Sequence, residues 1–324
     1  MIWNAVAVHA GRIYVGGPRW SGGTGPSLAT IDGDGALQPF PNADWNGWYR
    51  EREGAGAFVC VNAMHLDSMG RLWVVDAGSP TFGGDPIPGG AKVICIDVRT
   101  ESIACIYLLP GDVAKPGSYV DDIRINGSNA YLTDAGNGGI IVLDLKSGSA
   151  RRLLDGHAST VAPAGRPIVV DGETVLAPDG SPLRINSDPL ELSPDGTWLY
   201  YGTLEGQWSR IETRFLDDPA LSPGELASRV EPWADLAPIG GAVMDGGGRL
   251  YFTDLAEFAL KRRDADGSIT TIVADSALHW ADAPFIDETN SIWLPVPQLD
   301  RAAIFHGGRS QIEWPISLYR LPLH

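Results

Sequence analysis

A chain of 324 residues with 40 acidic and 24 basic side chains carries a formal charge of −16. That balance argues against a nucleic-acid or anionic-membrane partner and suits a neutral or cationic small molecule, or a metal ion. Apolar residues make up 44%, enough for a large core, yet no apolar run reaches membrane-spanning length.

The 40 glycines and 24 prolines mark a turn-rich chain without a sustained helical period. No charged-then-apolar leader precedes Ile2, and Cys60, Cys95 and Cys105 are too few for a disulfide framework. Buried reduced thiols and a cytoplasmic setting are expected, or a periplasmic or secreted one if a leader lies upstream. Pairing of Cys95 with Cys105 is sterically conceivable, since the two fall on strands joined by a short turn.

One unit recurs along the chain. Asp67–Gly78 reads as a turn, an alternating apolar strand and a stop, and its shape returns at Asn126–Gly136, Ser193–Thr203 and Asp245–Asp254. Looser copies lie at His9–Gly17 and Asp287–Pro295. Six repeats, indexed by Tyr14, Trp73, Tyr131, Tyr200, Tyr251 and Trp293, predict an all-β, single-domain six-bladed propeller of four-stranded antiparallel blades around a central tunnel.

In chain order, blade 1 is predicted at Trp3–Val8, Arg12–Gly16, Ser27–Asp32 and Ala36–Phe40, and Asn42–Gly54 crosses to blade 2 with Trp45 and Trp48. Blade 2 takes Val59–Leu66, Arg71–Asp76, Lys92–Val98 and Ile103–Leu109; blade 3 takes Asp121–Ile125, Ala130–Thr133, Ile140–Leu145 and Arg151–Leu154. Blade 4 is Pro189–Leu192, Trp198–Gly202, Trp208–Thr213 and Arg229–Trp233, with a helical turn within Arg214–Leu226. Blade 5 is Ala242–Asp245, Arg249–Thr253, Ala259–Arg263 and Ile269–Val273. Blade 6 shows only Ala283–Ile286, Ser291–Pro295 and Ser317–Leu321, so either it has three strands or upstream residues complete it.

The matching pieces Pro18–Gly23, Arg71–Asp76, Ala130–Asp134, Val142–Gly148, Leu154–His157 and Leu192–Gly196 make the sequence similar to the yellow / major royal jelly protein family, in its bacterial, dopachrome-tautomerase-related branch. The resemblance implies a six-bladed propeller, with members linked to dopachrome conversion and others to binding small amines. The chain departs from the family at Ser187-Asp188-Pro189 and Gly240-Gly241-Ala242, where an Asp-Gly pair is usual.

Aligning the inner strands places Asn4, Asn62, Asp121, Asp188, Gly240 and Asp282 at their entries, nearest the axis. Three carboxylates on one tunnel cannot all stay ionised and unpaired. A divalent cation such as Ca²⁺ on Asn4, Asn62, Asp121, Asp188 and Asp282 is one expectation. Backbone capping and a seat for an ammonium group are the others. His279 is the candidate general base, with Asp121 and Asp282 beside it. Arg19, Trp20, Trp45, Trp48, His157 and Trp280 are candidate walls of a substrate site. His65 reads as a core residue, and Asp76, Asp134 and Asp254 read as turn devices closing the second strands.

No nucleophile elbow, zinc-binding helix, Cys-x-x-Cys or phosphate loop is present. The expected activity is metal-assisted hydrolysis of a lactone or ester at the tunnel mouth. Tautomerisation of a quinone-like ring and non-catalytic amine binding are the alternatives.

Overall fold

The computed structural model describes residues 1–323. Six antiparallel sheets follow one another, five of four strands and a sixth of three. Their inner strands are Ala5–His9, Val61–Leu66, Val120–Asn126, Ser187–Leu192, Ile239–Met244 and Phe285–Ile286. Successive inner strands pack side by side. The ring closes where Ala5 bridges Ala283 in parallel. Beyond the blades lie a short hairpin, Val169–Val170 with Glu173–Thr174, and the helical turns Ala43–Asn46, Thr213–Asp217 and Pro223–Ala227. The expected helical turn near Arg214 is thus two. The second is fixed by a reciprocal cap between Ser222 and Glu225. Among the described residues no helix is long and apolar enough to cross a membrane.

The repeat has a physical basis in its turn. Asp67 accepts the backbone N–H of Met69 and Arg71, and its other oxygen accepts the Trp73 indole N–H at 2.9 Å. Gly70 sits between them at φ +75°, a conformation that side chains resist. Asp287, Asn290 (φ +57°) and Trp293 repeat the arrangement in blade 6. An acid, a left-handed residue three places on and an aromatic six places on therefore make one hairpin. The sheets bury both faces against their neighbours. Trp73, Val75, Val93 and Cys95 of blade 2, for example, form one core with Val120, Ile123, Leu132 and Ile141 of blade 3.

The second strands end on buried acids. As the sequence suggests, each bonds its own loop: Asp76 accepts from Gly78, Asp134 from Gly136 and Asn137, and Asp254 from Ala256 and Glu257. Each also meets a cation from an outer strand, Lys92, Arg152 and Lys261 respectively, at 2.6, 2.6 and 2.7 Å. Cys60 and Cys95 are buried, whereas Cys105 is exposed, against expectation, and all three are free thiols.

Candidate functional site

The six entry residues converge as a ring at the waist of the tunnel. All six line both the cavity of about 590 Å³ on one face and the cavity of about 400 Å³ on the other. The local cause is a bulge. Pairing with the second strand slips between Val61 and Ala63, between Val120 and Ile123, between Ser187 and Leu190, and between Ile239 and Ala242. Asn62, Asp121, Asp188 and Gly240 fall inside those slips. A bulge turns an extra side chain out of the alternating pattern, here toward the axis.

Hydrogen bonds link the ring. Asn4 donates to Asn62 at 3.4 Å, and the Asn62 amide donates to Asp121. The Asp121 and Asp188 carboxyls act on one another across the ring, so the two resist ionising together. Asp282 accepts the backbone N–H of Ala283 and the indole N–H of Trp280. Burial, followed by the Asp188 charge, holds both Asp121 and Asp282 well above the usual carboxylate range. Burial pushes Asp188 up to about 7. The Asn4 side-chain oxygen is buried without a partner.

The sequence could not explain why blade 5 contributes glycine. A Cβ on Gly240 would stand 2.1 Å from the Ala281 carbonyl oxygen. Blades 5 and 6 approach too closely there for any side chain. Gly240→Ala is therefore expected to cost about 1–3 kcal/mol through overpacking, read as a lower urea midpoint at unchanged slope.

The smaller cavity is walled by aromatics. Trp20, Phe82 and Phe305 pack edge to face, with Trp20–Phe82 and Phe82–Phe305 centroids 5.0 and 5.2 Å apart. Tyr119 and Trp280 also line it. The Trp20 indole donates to the Tyr119 hydroxyl at 2.8 Å, and that hydroxyl donates to Asn62 at 2.9 Å. Wall and ring are thus one hydrogen-bonded unit. The larger cavity, on the hairpin side, contains Arg124, held by Asp122 and Glu191 at 2.6 Å and reaching Ala242 of blade 5.

Of the residues singled out from sequence, the tunnel gathers Asn4, Asn62, Asp121, Asp188 and Asp282 with Trp20 and Trp280. The others lie elsewhere. His279 is outside both cavity linings: its Nε2 lies 2.8 Å from an Asp300 oxygen and its ring stacks on Phe258. Only two residues separate it from Asp282, but its ring lies away from the cavity linings. Arg19 is consumed by Ser27, Phe58 and Val59, and lies over the Trp48 ring. Trp48 is buried on the Arg52 carbonyl and Trp45 packs on Phe58. His157 opens on a separate groove. Tyr119, Phe82 and Phe305 are the wall residues that sequence reasoning missed, because they sit in irregular loops with no repeat to index them.

Among the described residues, no three His, Cys, Asp or Glu side chains converge to hold a metal ion. A cation at the ring would have to draw on the amide oxygens of Asn4 and Asn62. The orphaned Asn4 oxygen and the all-oxygen donor set fit a hard ion in that sense.

Comparison with known proteins follows the same lines. A catalytically inactive variant of virginiamycin B lyase from Staphylococcus aureus, solved with quinupristin, superposes at a TM-score of 0.50. It shares 14% identity over 90% of this chain and 76% of its own, a likeness of fold alone. Protein yellow of Drosophila melanogaster is 30% identical over 155 residues, covering 43% of this chain and 28% of yellow. Dopaminechrome tautomerase of the same fly is 23% identical over 161 residues, 46% of this chain and 34% of the tautomerase. The chain thus matches only about a third or less of each relative's length. The sequence profile described as Major royal jelly protein matches residues 59–294, most of the ring of blades, and the chain belongs to that family.

Proposed function

We propose that the protein is an isomerase of a small, flat, cyclic molecule, with the reaction in the aromatic-walled cavity above the ring. The observation that carries this reading is the pair of carboxyls, Asp121 and Asp188, that line the floor of that cavity and are both held toward their protonated forms. Tautomerisation needs one group to take a proton from carbon and another to deliver one elsewhere. Asp188, near neutrality, is the acceptor in this scheme. Asp121, held neutral, is the donor. Asp282 is fixed by Trp280 and sets the field at the floor. Trp20, Phe82 and Phe305 would hold a ring by its faces and exclude water. The name of the tautomerase relative supports this class of reaction.

Metal-assisted hydrolysis of a lactone or ester is the second reading, favoured by the unpartnered Asn4 oxygen. Asn4, Asn62, Asp121, Asp188 and Asp282 would hold the ion, and bound Ca²⁺ would polarise a carbonyl. A dopaminechrome assay separates the readings. Isomerase action predicts disappearance of the coloured substrate that survives EDTA and is lost in Asp121→Asn. EDTA-sensitive lactone hydrolysis with no action on dopaminechrome would replace it by the second reading. Tight binding of an amine with no turnover of either would make the protein a binder.

A further inference from the structure

The His157 loop lies beside a groove of about 680 Å³ on the flank of blade 4, apart from the tunnel. Its wall includes His157, Ser159, Thr203, Trp208 and Trp233. The hydrogen bonds there have a fixed direction. His157 Nδ1 accepts the backbone N–H of Ser159 at 3.2 Å, so that nitrogen carries no proton. Ser159 Oγ lies 2.8 Å from the same nitrogen and must donate to it. The serine's one proton is then used, and the Tyr201 hydroxyl, 2.8 Å from Oγ, must donate to it. The chain therefore runs from Tyr201 through Ser159 to His157, a hydroxyl aimed at a base and backed by a donor. Two further polar atoms in the groove wall, Thr203 Oγ1 and Trp208 Nε1, are buried and have no partner. Thr203 and Trp208 are 1% and 2% exposed, so neither atom can turn to bulk water.

We propose that this groove is a second site, for small esters with an apolar acyl or aryl part, in which Ser159 is the nucleophile. Ser159 Oγ attacks the ester carbonyl and its proton passes to His157 Nδ1. The C–O bond to the leaving group breaks, and His157 returns the proton to it as the alcohol or phenol. Water then attacks acyl-Ser159, with His157 taking its proton, and releases the carboxylic acid and free serine. Ser159 and His157 both line the groove, so an ester carbonyl seated there meets the hydroxyl and its base together. The site is independent of the tunnel reading.

A fluorophosphonate probe tests this, since Ser159 Oγ would displace its fluoride. Folded full-length protein should take one label per chain, mapped to Ser159 by peptide mass and absent in Ser159→Ala. His157→Gln should label about 10²-fold or more slowly. Tyr201→Phe, which removes one hydrogen bond and little volume, should also label more slowly with its melting temperature retained. Absence of label on folded protein, or equal labelling of Ser159→Ala, would overturn the proposal.

Discussion

Asp188→Asn should lower turnover of the tunnel's substrate by about 10²–10⁴-fold, the usual worth of a positioned general base. The same change should make the protein more stable at pH 8. The sign follows from the raised value of Asp188, about 7 in the folded ring against 3.8 in the unfolded chain. The native state holds this proton more tightly than the unfolded state. Its contribution to stability is therefore complete below about pH 4 and is lost as pH rises toward 7. Each unit of difference is worth about 1.4 kcal/mol, so ionising the folded group costs a few kcal/mol by pH 8. The Asn variant removes that cost. Urea midpoints at pH 4 and pH 8 read the effect directly: the variant's advantage should be small at pH 4 and about 4 kcal/mol at pH 8. Equal midpoints at pH 8 would mean that Asp188 is ionised there without penalty.

Lys92→Met should be the most damaging single change far from the tunnel, at about 3–5 kcal/mol. Lys92 is wholly buried and its ammonium donates to Asp76 at 2.6 Å and to the carbonyls of Gly54 and Gly90 at 2.9 Å each. One carboxylate oxygen of Asp76 accepts from Val59 and the other from Cys60 and Gly78. Removing the ammonium leaves a charge in the core and frees two carbonyls. Truncation of one partner costs more than the pair itself contributes, so Asp76→Asn with Lys92→Met should recover part of the loss. Chemical denaturation of the two variants measures this. A loss below about 1 kcal/mol for Lys92→Met would show that the pair is a spectator.

The sequence carried the architecture because a hairpin is a local object. Asp67, Gly70 and Trp73 lie within seven residues and bond to one another, so their pattern is visible wherever it recurs. The axial ring was legible for a related reason: each member stands ten to twelve residues before its index aromatic. The bulges that turn Asn62, Asp121 and Asp188 inward were not legible, since a slip in pairing leaves no mark in composition. The strand starts moved accordingly, with blade 4 beginning at Ser187 and blade 5 at Ile239 instead of Pro189 and Ala242. His279 and Arg19 show the converse failure. Proximity in sequence to Asp282 or to an exposed turn suggested function, whereas Asp300 and the Phe58–Val59 carbonyls claim those side chains. Trp20 and Tyr119 meet only because a loop of blade 1 and the entry of blade 3 share one chamber. Such meetings across about a hundred residues need coordinates.

The proton held on Asp188 can be followed by infrared difference spectroscopy between the wild type and Asp188→Asn. At pH 6 the difference should contain a neutral carboxyl band of Asp188 that shifts in D₂O and is lost as pH rises past about 7. A wild-type spectrum at pH 6 with every tunnel carboxyl ionised would contradict the account.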